Sequence, residues 1–300
     1  MKKYYFYLAL LPLLLVHPAH ADLNILACEP EWASLAHELT GDLADISSAT
    51  TAYQDPHHIQ ARPSLQSKAR RADLLVCSGS ELEIGWLPLL LRKTGNPKIQ
   101  MGQPGYFMAT EHVRMMGKPK VIDRSEGDIH AAGNPHIQTS PENILPVARA
   151  LTEVLTEIDS AHADQYLKNF DSFSARWKEA MQSWQQKAEP LRGKSVITYH
   201  KNWIYLENWL GLKEAGTLED KPGIPPTSGH LSSLLQQAQS EQIQMIIYAS
   251  YQDPKAAKWF SERSGIPAVE LPATVGGAKG ADDLFGFYEV IIDRMLATLK

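Results

Sequence analysis

Three histidines sit where a loop could aim an imidazole. His57 lies in Asp55-Pro56-His57-His58 and His136 in Gly133-Asn134-Pro135-His136, while His200 directly follows the apolar run Val196-Ile197-Thr198-Tyr199. Proline precedes two of the three, fixing the local backbone and so the direction of the side chain. Near the end, Gly280-Ala281-Asp282-Asp283 puts two carboxylates in a turn before the last apolar-periodic stretch. Three neutral imidazoles and one carboxylate form an N3O donor set, which suits zinc at about 2.0–2.2 Å, whereas manganese favours more oxygen. The spacing is not diagnostic. There is no His-x-x-x-His or His-Glu-x-x-His, so no helix carries a ready pair, and bare loop histidines are more often surface residues than ligands. His58 is an alternative to His57; His130 and His230 read as loop residues near a cleft at most, and Glu83 and Asp283 as solvated or structural. Trp203, Tyr205 and Trp209 read as packing. No nucleophile elbow is present, since Ser78-Gly79-Ser80 is a turn, and no phosphate-binding glycine loop follows a strand.

The elements that must position these side chains alternate. Leu23–Cys28 reads as a strand, Trp32–Leu39 as a helix, Leu43–Ala49 as a strand, Ser64–Arg71 as a helix, Leu74–Cys77 as a strand apolar on both faces, and Ile84–Arg92 as a helix. This rhythm implies an α/β fold with a parallel, doubly wound sheet, whose ligands bind at the carboxyl ends of strands. Residues 100–134 are rich in Gly and Pro and read as loop. From Ser140 to Glu189 apolar residues recur at helical spacing, from Ile144 to Trp184, with Pro190 and Gly193 as stops. Unbroken, that helix would be on the order of 70 Å long. It reads as a spine between two lobes, with a break near Asp159–His162 compatible with the pattern. The rhythm then returns: strands at Ser195–Tyr199, Met245–Tyr248 and Val269–Leu271, and helices at Trp203–Trp209, Leu231–Gln239, Ala256–Ser264 and Asp282–Leu299. The expectation is two doubly wound parallel-sheet lobes joined by one long spine helix, with lobes at 22–139 and 190–300 and the linking helix at 140–189.

Lys2 and Lys3, an apolar core from Tyr4 to Val16 and Ala19-His20-Ala21 read as a cleavable signal over residues 1–21. The run is short for a membrane span; Cys28 comes well after the cleavage point and no Leu-x-x-Cys run ends the apolar core, which argues against a lipid anchor. Setting Lys2 and Lys3 aside leaves 27 basic against 34 acidic side chains. That balance argues against a nucleic-acid partner. Cys28 and Cys77 end two predicted strands; in an oxidising compartment the pair reads as a disulfide, with a metal role the weaker alternative.

The order and wording of these segments resemble the metal-binding subunits of zinc and manganese ABC importers, the zinc-uptake solute-binding proteins. The matching pieces are Asp55-Pro56-His57 with Arg62-Pro63-Ser64, Ala72-Asp73-Leu74-Leu75-Val76, Gly133-Asn134-Pro135-His136, Tyr199-His200-Lys201 leading to Tyr205, and Gly280-Ala281-Asp282. Together they span nearly the whole chain after residue 21. The resemblance implies a periplasmic monomer, not an enzyme, that captures a divalent metal between two lobes and delivers it to a membrane permease. It implies the ligands His57, His136, His200 and Asp282, with Asp282 the least secure because some zinc-type members use water there. His200 stands where manganese-type members usually carry glutamate, which favours zinc as the transported ion over manganese. The long His- and acid-rich loop of many zinc-type members is reduced here to His112 and His130 within residues 111–132. A stiff spine implies local loop motion on metal release rather than wide closure. Imidazole binds a cation only when neutral, so capture should fade below about pH 6. The alternative is a periplasmic zinc hydrolase, which would need an open metal position and a nearby base, nominally Glu83 or Asp283. A third reading, a surface adhesin, would predict the lipid anchor argued against above.

Overall fold

Each half of the chain repeats one unit, a parallel strand followed by a helix, and the central strands are the buried ones. In the computed structural model, which describes residues 23–119, 125 and 127–299, the first half runs β1 (Leu23–Ala27), α1 (Pro30–Thr40), β2 (Ala44–Ser48), α2 (Pro63–Arg71), β3 (Leu74–Cys77), α3 (Leu87–Thr94) and β4 (Tyr106–Met108). Its strands pair in parallel in the order β2-β1-β3-β4. The third strand, Leu74-Leu75-Val76-Cys77, is wholly buried, as its lack of polar alternation requires. Next come α4 (Ile144–Ile158) and α5 (Ala163–Lys187). The second half runs β5 (Ser195–Thr198), α6 (Ile204–Leu210), β6 (Lys213–Thr217), α7 (Ser228–Ala238), β7 (Ile243–Ala249), α8 (Lys255–Ser264), β8 (Ala268–Leu271) and α9 (Leu284–Leu296). Its parallel order, β6-β5-β7-β8, reproduces that of the first sheet. The two doubly wound parallel-sheet lobes joined by a long helix are therefore present.

The helical run is divided. It begins as a tight 3-10 turn over Pro141–Asn143 and continues as α4, and a second 3-10 turn at Ser160–His162 then reverses the chain into α5. The break falls where the pattern allowed one, so the joining helix is α5, 25 residues or about 37 Å long, not the whole of 140–189. Asp159 holds the corner, accepting from the Tyr166 hydroxyl at 2.6 Å and bonding the His162 Nδ1 at 2.8 Å. The helix α4 folds back along α5, so that the Trp177 indole donates to the Pro141 carbonyl at 2.9 Å. The first half of α5 lies on lobe one, where Asn169 donates to the Leu39 carbonyl and Arg176 pairs with Glu38. Its second half lies on lobe two, where Trp184 and Lys187 meet Glu289 of α9. Phe173, Trp177, Trp184, Phe285 and Tyr288 stack between them.

Two strands were not anticipated. Both β4, within the stretch read as loop, and β6 are edge strands; β6 lacks the apolar run of a central strand, and β4 is only the three residues Tyr106-Phe107-Met108. The Cys28–Cys77 disulfide forms as expected across neighbouring strands, with Cα atoms 4.7 Å apart. The expected signal and its cleavage point lie outside the described residues. No helix among the described residues is long and apolar enough to cross a membrane.

Candidate metal centre

The two doubly wound sheets face each other with their carboxyl ends, and the three loop histidines meet there. His57 follows β2, His200 follows β5, and His136 enters the 3-10 turn Ile137–Thr139 that leads to α4. The first two arrive by the topology of the sheets. All three are buried, at 3–6% exposure. One ligand atom from each lies within 4.8 Å of the other two, and their ring centroids are 5.5, 5.8 and 6.0 Å apart.

A shared local device aims His57 and His136. The Asp55 Oδ1 accepts the His57 backbone N–H at 3.0 Å, and the Asn134 Oδ1 accepts that of His136 at 3.0 Å. Each is a side-chain turn closed over a proline, and the pattern Asp/Asn-Pro-His is visible twice in the sequence. At His57 the carboxylate reaches further, bonding the ring Nδ1 at 2.7 Å. In the second lobe Glu219 does the same for His200, with Oε2 2.7 Å from Nδ1, and is itself held by the Gly223 N–H at 2.8 Å. A carboxylate accepts only, so Nδ1 carries the proton on both rings and Nε2 presents a lone pair to the centre. Carboxylate behind imidazole is the arrangement that fixes tautomer and raises ligand basicity at metal sites. Burial pushes the Asp55 carboxyl up, and the His57 hydrogen bond and charge more than offset it, leaving it below the usual range. Burial, then the neighbouring His57, His200 and His130 rings, hold His136 well below the ordinary imidazole value. Its Nε2 is buried without a hydrogen-bond partner. A buried, neutral, unpartnered imidazole nitrogen is costly unless a cation takes it.

Other anticipated residues stand elsewhere. Asp282 is exposed in the turn before α9 and is not in the group of mutually close ligand atoms. Asp283 caps α9, accepting from the Gly286 N–H at 2.7 Å. His58 is two-thirds exposed, 3.9 Å from Asp128. Glu83 accepts the Ser78 and Gly79 N–H groups at 2.9 and 3.1 Å and faces the buried Glu29; burial raises its carboxyl to about 7. It belongs to the group around Cys28 and Cys77, not to the histidine group. Neither nominated base therefore adjoins the histidines. Asp55 and Glu219 were not expected as orienting groups; His130, expected in a loop near the cleft at most, is a close neighbour, its Nε2 3.4 Å from that of His57. The paired Asp/Asn-Pro-His signal pointed to Asp55; nothing local marked Glu219, nineteen residues from its partner.

Residues 25–300 match the family model described as zinc-uptake complex component A, periplasmic. The chain belongs to that family. It is thus a metal-binding component of an ABC importer rather than an enzyme. It is 22% identical over 275 residues to the manganese ABC transporter substrate-binding lipoprotein PsaA of Streptococcus pneumoniae, covering 90% of this chain and 85% of that one. It is 24% identical to the iron-binding protein YfeA of Yersinia pestis, covering 84% and 75%. The crystal structure of a ZnuA superposes with a TM-score of 0.75 over 92% of this chain and all of the other, at 20% identity, and so shares the fold. Relatives within this family are named for different metals, so membership fixes divalent-metal binding and leaves the choice of metal to the ligand set.

Proposed function

We propose that this protein is the zinc-capturing subunit of its importer, holding the ion in the cleft between the lobes through His57, His136 and His200. The observation that carries the reading is the donor set: three buried imidazoles converge from both lobes, and none of the three is a carboxylate. Nitrogen-rich coordination favours zinc over manganese, which prefers more oxygen ligands. The third position, His200, comes from the second lobe and is backed by Glu219, so the site is complete only when both lobes contribute. The lobes at 22–139 and 190–300 then act as two walls joined through 140–189. A monomer exported to the periplasm, with residues 1–21 removed, would carry the ion to the membrane permease.

The test is calorimetric titration of the chelator-stripped chain from Asp22 onward with zinc and with manganese at pH 7. The expected outcome is one zinc per chain, bound at least ~100-fold more tightly than manganese, as the donor preference implies, and lost in His57→Ala, His136→Ala and His200→Ala. Tighter manganese binding would replace zinc as the cargo, and absent or weak multi-site binding would remove the reading altogether.

A further inference from the structure

Three histidines leave a tetrahedral ion one ligand short. Asp282, the residue the family resemblance offers, is exposed, and neither it nor His130 belongs to the group whose ligand atoms all lie within 4.8 Å of one another. His130 does reach one member of that group. The His130 Nδ1 is 2.9 Å from the Ser80 carbonyl oxygen, which can only accept, so this ring too carries its proton on Nδ1 and a lone pair on Nε2. That lone pair is 3.4 Å from the His57 Nε2, which is bare as well, because the His57 ring proton sits on Nδ1 facing Asp55. Two bare nitrogens facing each other have no hydrogen between them to share. The separation does match the edge of a tetrahedron of nitrogens about 2.0–2.1 Å from a zinc ion, roughly 3.4 Å.

We propose that His130 is the fourth metal ligand, so that the ion is held by four imidazoles, His57, His130, His136 and His200. The proposal rests on the zinc-capture reading above and deepens it. The His130 Nε2 adjoins the His57 corner of the triangle, and the ring swings inward about its Ser80 hydrogen bond to close the site. Its mounting supports this. Ser80 and Glu81 both take left-handed backbone conformations, with φ of 50° and 67°, a strain that non-glycine residues hold only where surrounding structure imposes it. That turn presents the Ser80 carbonyl to His130, donates from the Ser80 hydroxyl to the Gly133 carbonyl at 2.8 Å, and accepts the Ala131 N–H on Glu81 at 3.2 Å. On the other side, the Asp128 N–H donates to the Pro222 carbonyl at 2.9 Å, in the loop that steadies Glu219 behind His200. A ligand on this segment would thus draw the two lobes' loops onto one ion. Four neutral nitrogens also exclude the carboxylate that manganese would use.

The experiment is zinc X-ray absorption on the singly loaded chain, with competitive-chelator affinity, for the parent, His130→Ala and Asp282→Ala. The expected result is four imidazoles in the parent and in Asp282→Ala. His130→Ala should show three imidazoles and one oxygen, with affinity weakened roughly 100-fold, at least as much as loss of an outer-shell partner, and with unchanged melting of the metal-free chain. Three imidazoles in the parent, or His130→Ala binding within ~3-fold of it where loss of even an outer partner costs more, would overturn His130 while leaving the zinc site standing. If the parent took up no stoichiometric zinc, the underlying reading would fail first.

Discussion

At the scale of single residues, what separates these histidines from surface ones is their backing. His57 and His200 each rest on a carboxylate, whereas the His136 Nε2 is left buried without a hydrogen-bond partner. Asp55 does two tasks at once, closing the turn with one hydrogen bond and polarising the ring with another. Asp55→Asn separates them, because the amide oxygen can still accept the His57 backbone N–H while the negative charge is gone. Zinc affinity should fall about 10-fold or more with the melting temperature of the metal-free chain unchanged. Equal affinity in calorimetry would mean that the charge behind His57 contributes nothing to the metal. The role of the histidines as ligands came from the family resemblance, because spacing alone does not separate a ligand from a surface histidine; their loop positions, and the prolines that aim two of them, were legible in the sequence. Glu219 and His130 were not, because each acts on a partner that is distant in sequence, and no local spacing encodes such a contact.

At the scale of elements, the central strands and the helices that cover them were readable because each buries an uninterrupted apolar run or one apolar face. The edge strands β4 and β6 were not. An edge strand is covered on fewer sides, and Lys213-Glu214-Ala215-Gly216-Thr217 has the composition of a loop until a neighbour supplies its hydrogen bonds. The corner at Asp159–His162 was legible as a possible break; that α4 then packs back against α5 depended on which faces found each other. One helix carries a testable liability. Glu207 of α6 is buried, and burial first, then the nearby Glu214, raises its carboxyl to about 8. The folded chain therefore keeps a proton that the unfolded chain releases above about pH 4.5, and stability falls as pH rises from there through about 8. Glu207→Gln should remove that slope and raise stability at pH 8 by roughly 2–4 kcal/mol, with little change at pH 4.5. Melting curves for both chains across this range decide it: parallel slopes would show that Glu207 is ionised in the fold.

At the scale of the whole molecule, the lobes are fastened as well as hinged. Besides α5, the Glu31 N–H donates to Thr274 at 3.2 Å, Gln138 donates to the Ala273 carbonyl at 3.2 Å and Ser250 to the Ala52 carbonyl at 3.2 Å. The Tyr205 hydroxyl also donates to the Asn134 carbonyl at 2.8 Å, directly behind His136. These bonds and the shared aromatic core oppose wide opening, so ion release should proceed by movement of the loops carrying His130 and His200. Small-angle scattering should give a radius of gyration near 19 Å for a compact chain of this size with and without zinc, differing by less than ~1 Å. A larger contraction on zinc addition would show that the inter-lobe bonds break. The sequence by itself determined the α/β class, the two-lobe plan and the disulfide partners, because burial pattern and strand ends are local properties; it marked three loop histidines, which only the family resemblance singled out as ligands. Only the tertiary structure decided that the three rings meet, that the His130 Nε2 lies 3.4 Å from that of His57, and that carboxylates from two lobes stand behind two of them. Those are contacts between segments up to about 150 residues apart, and they exist only once both sheets have turned their carboxyl ends to one cleft.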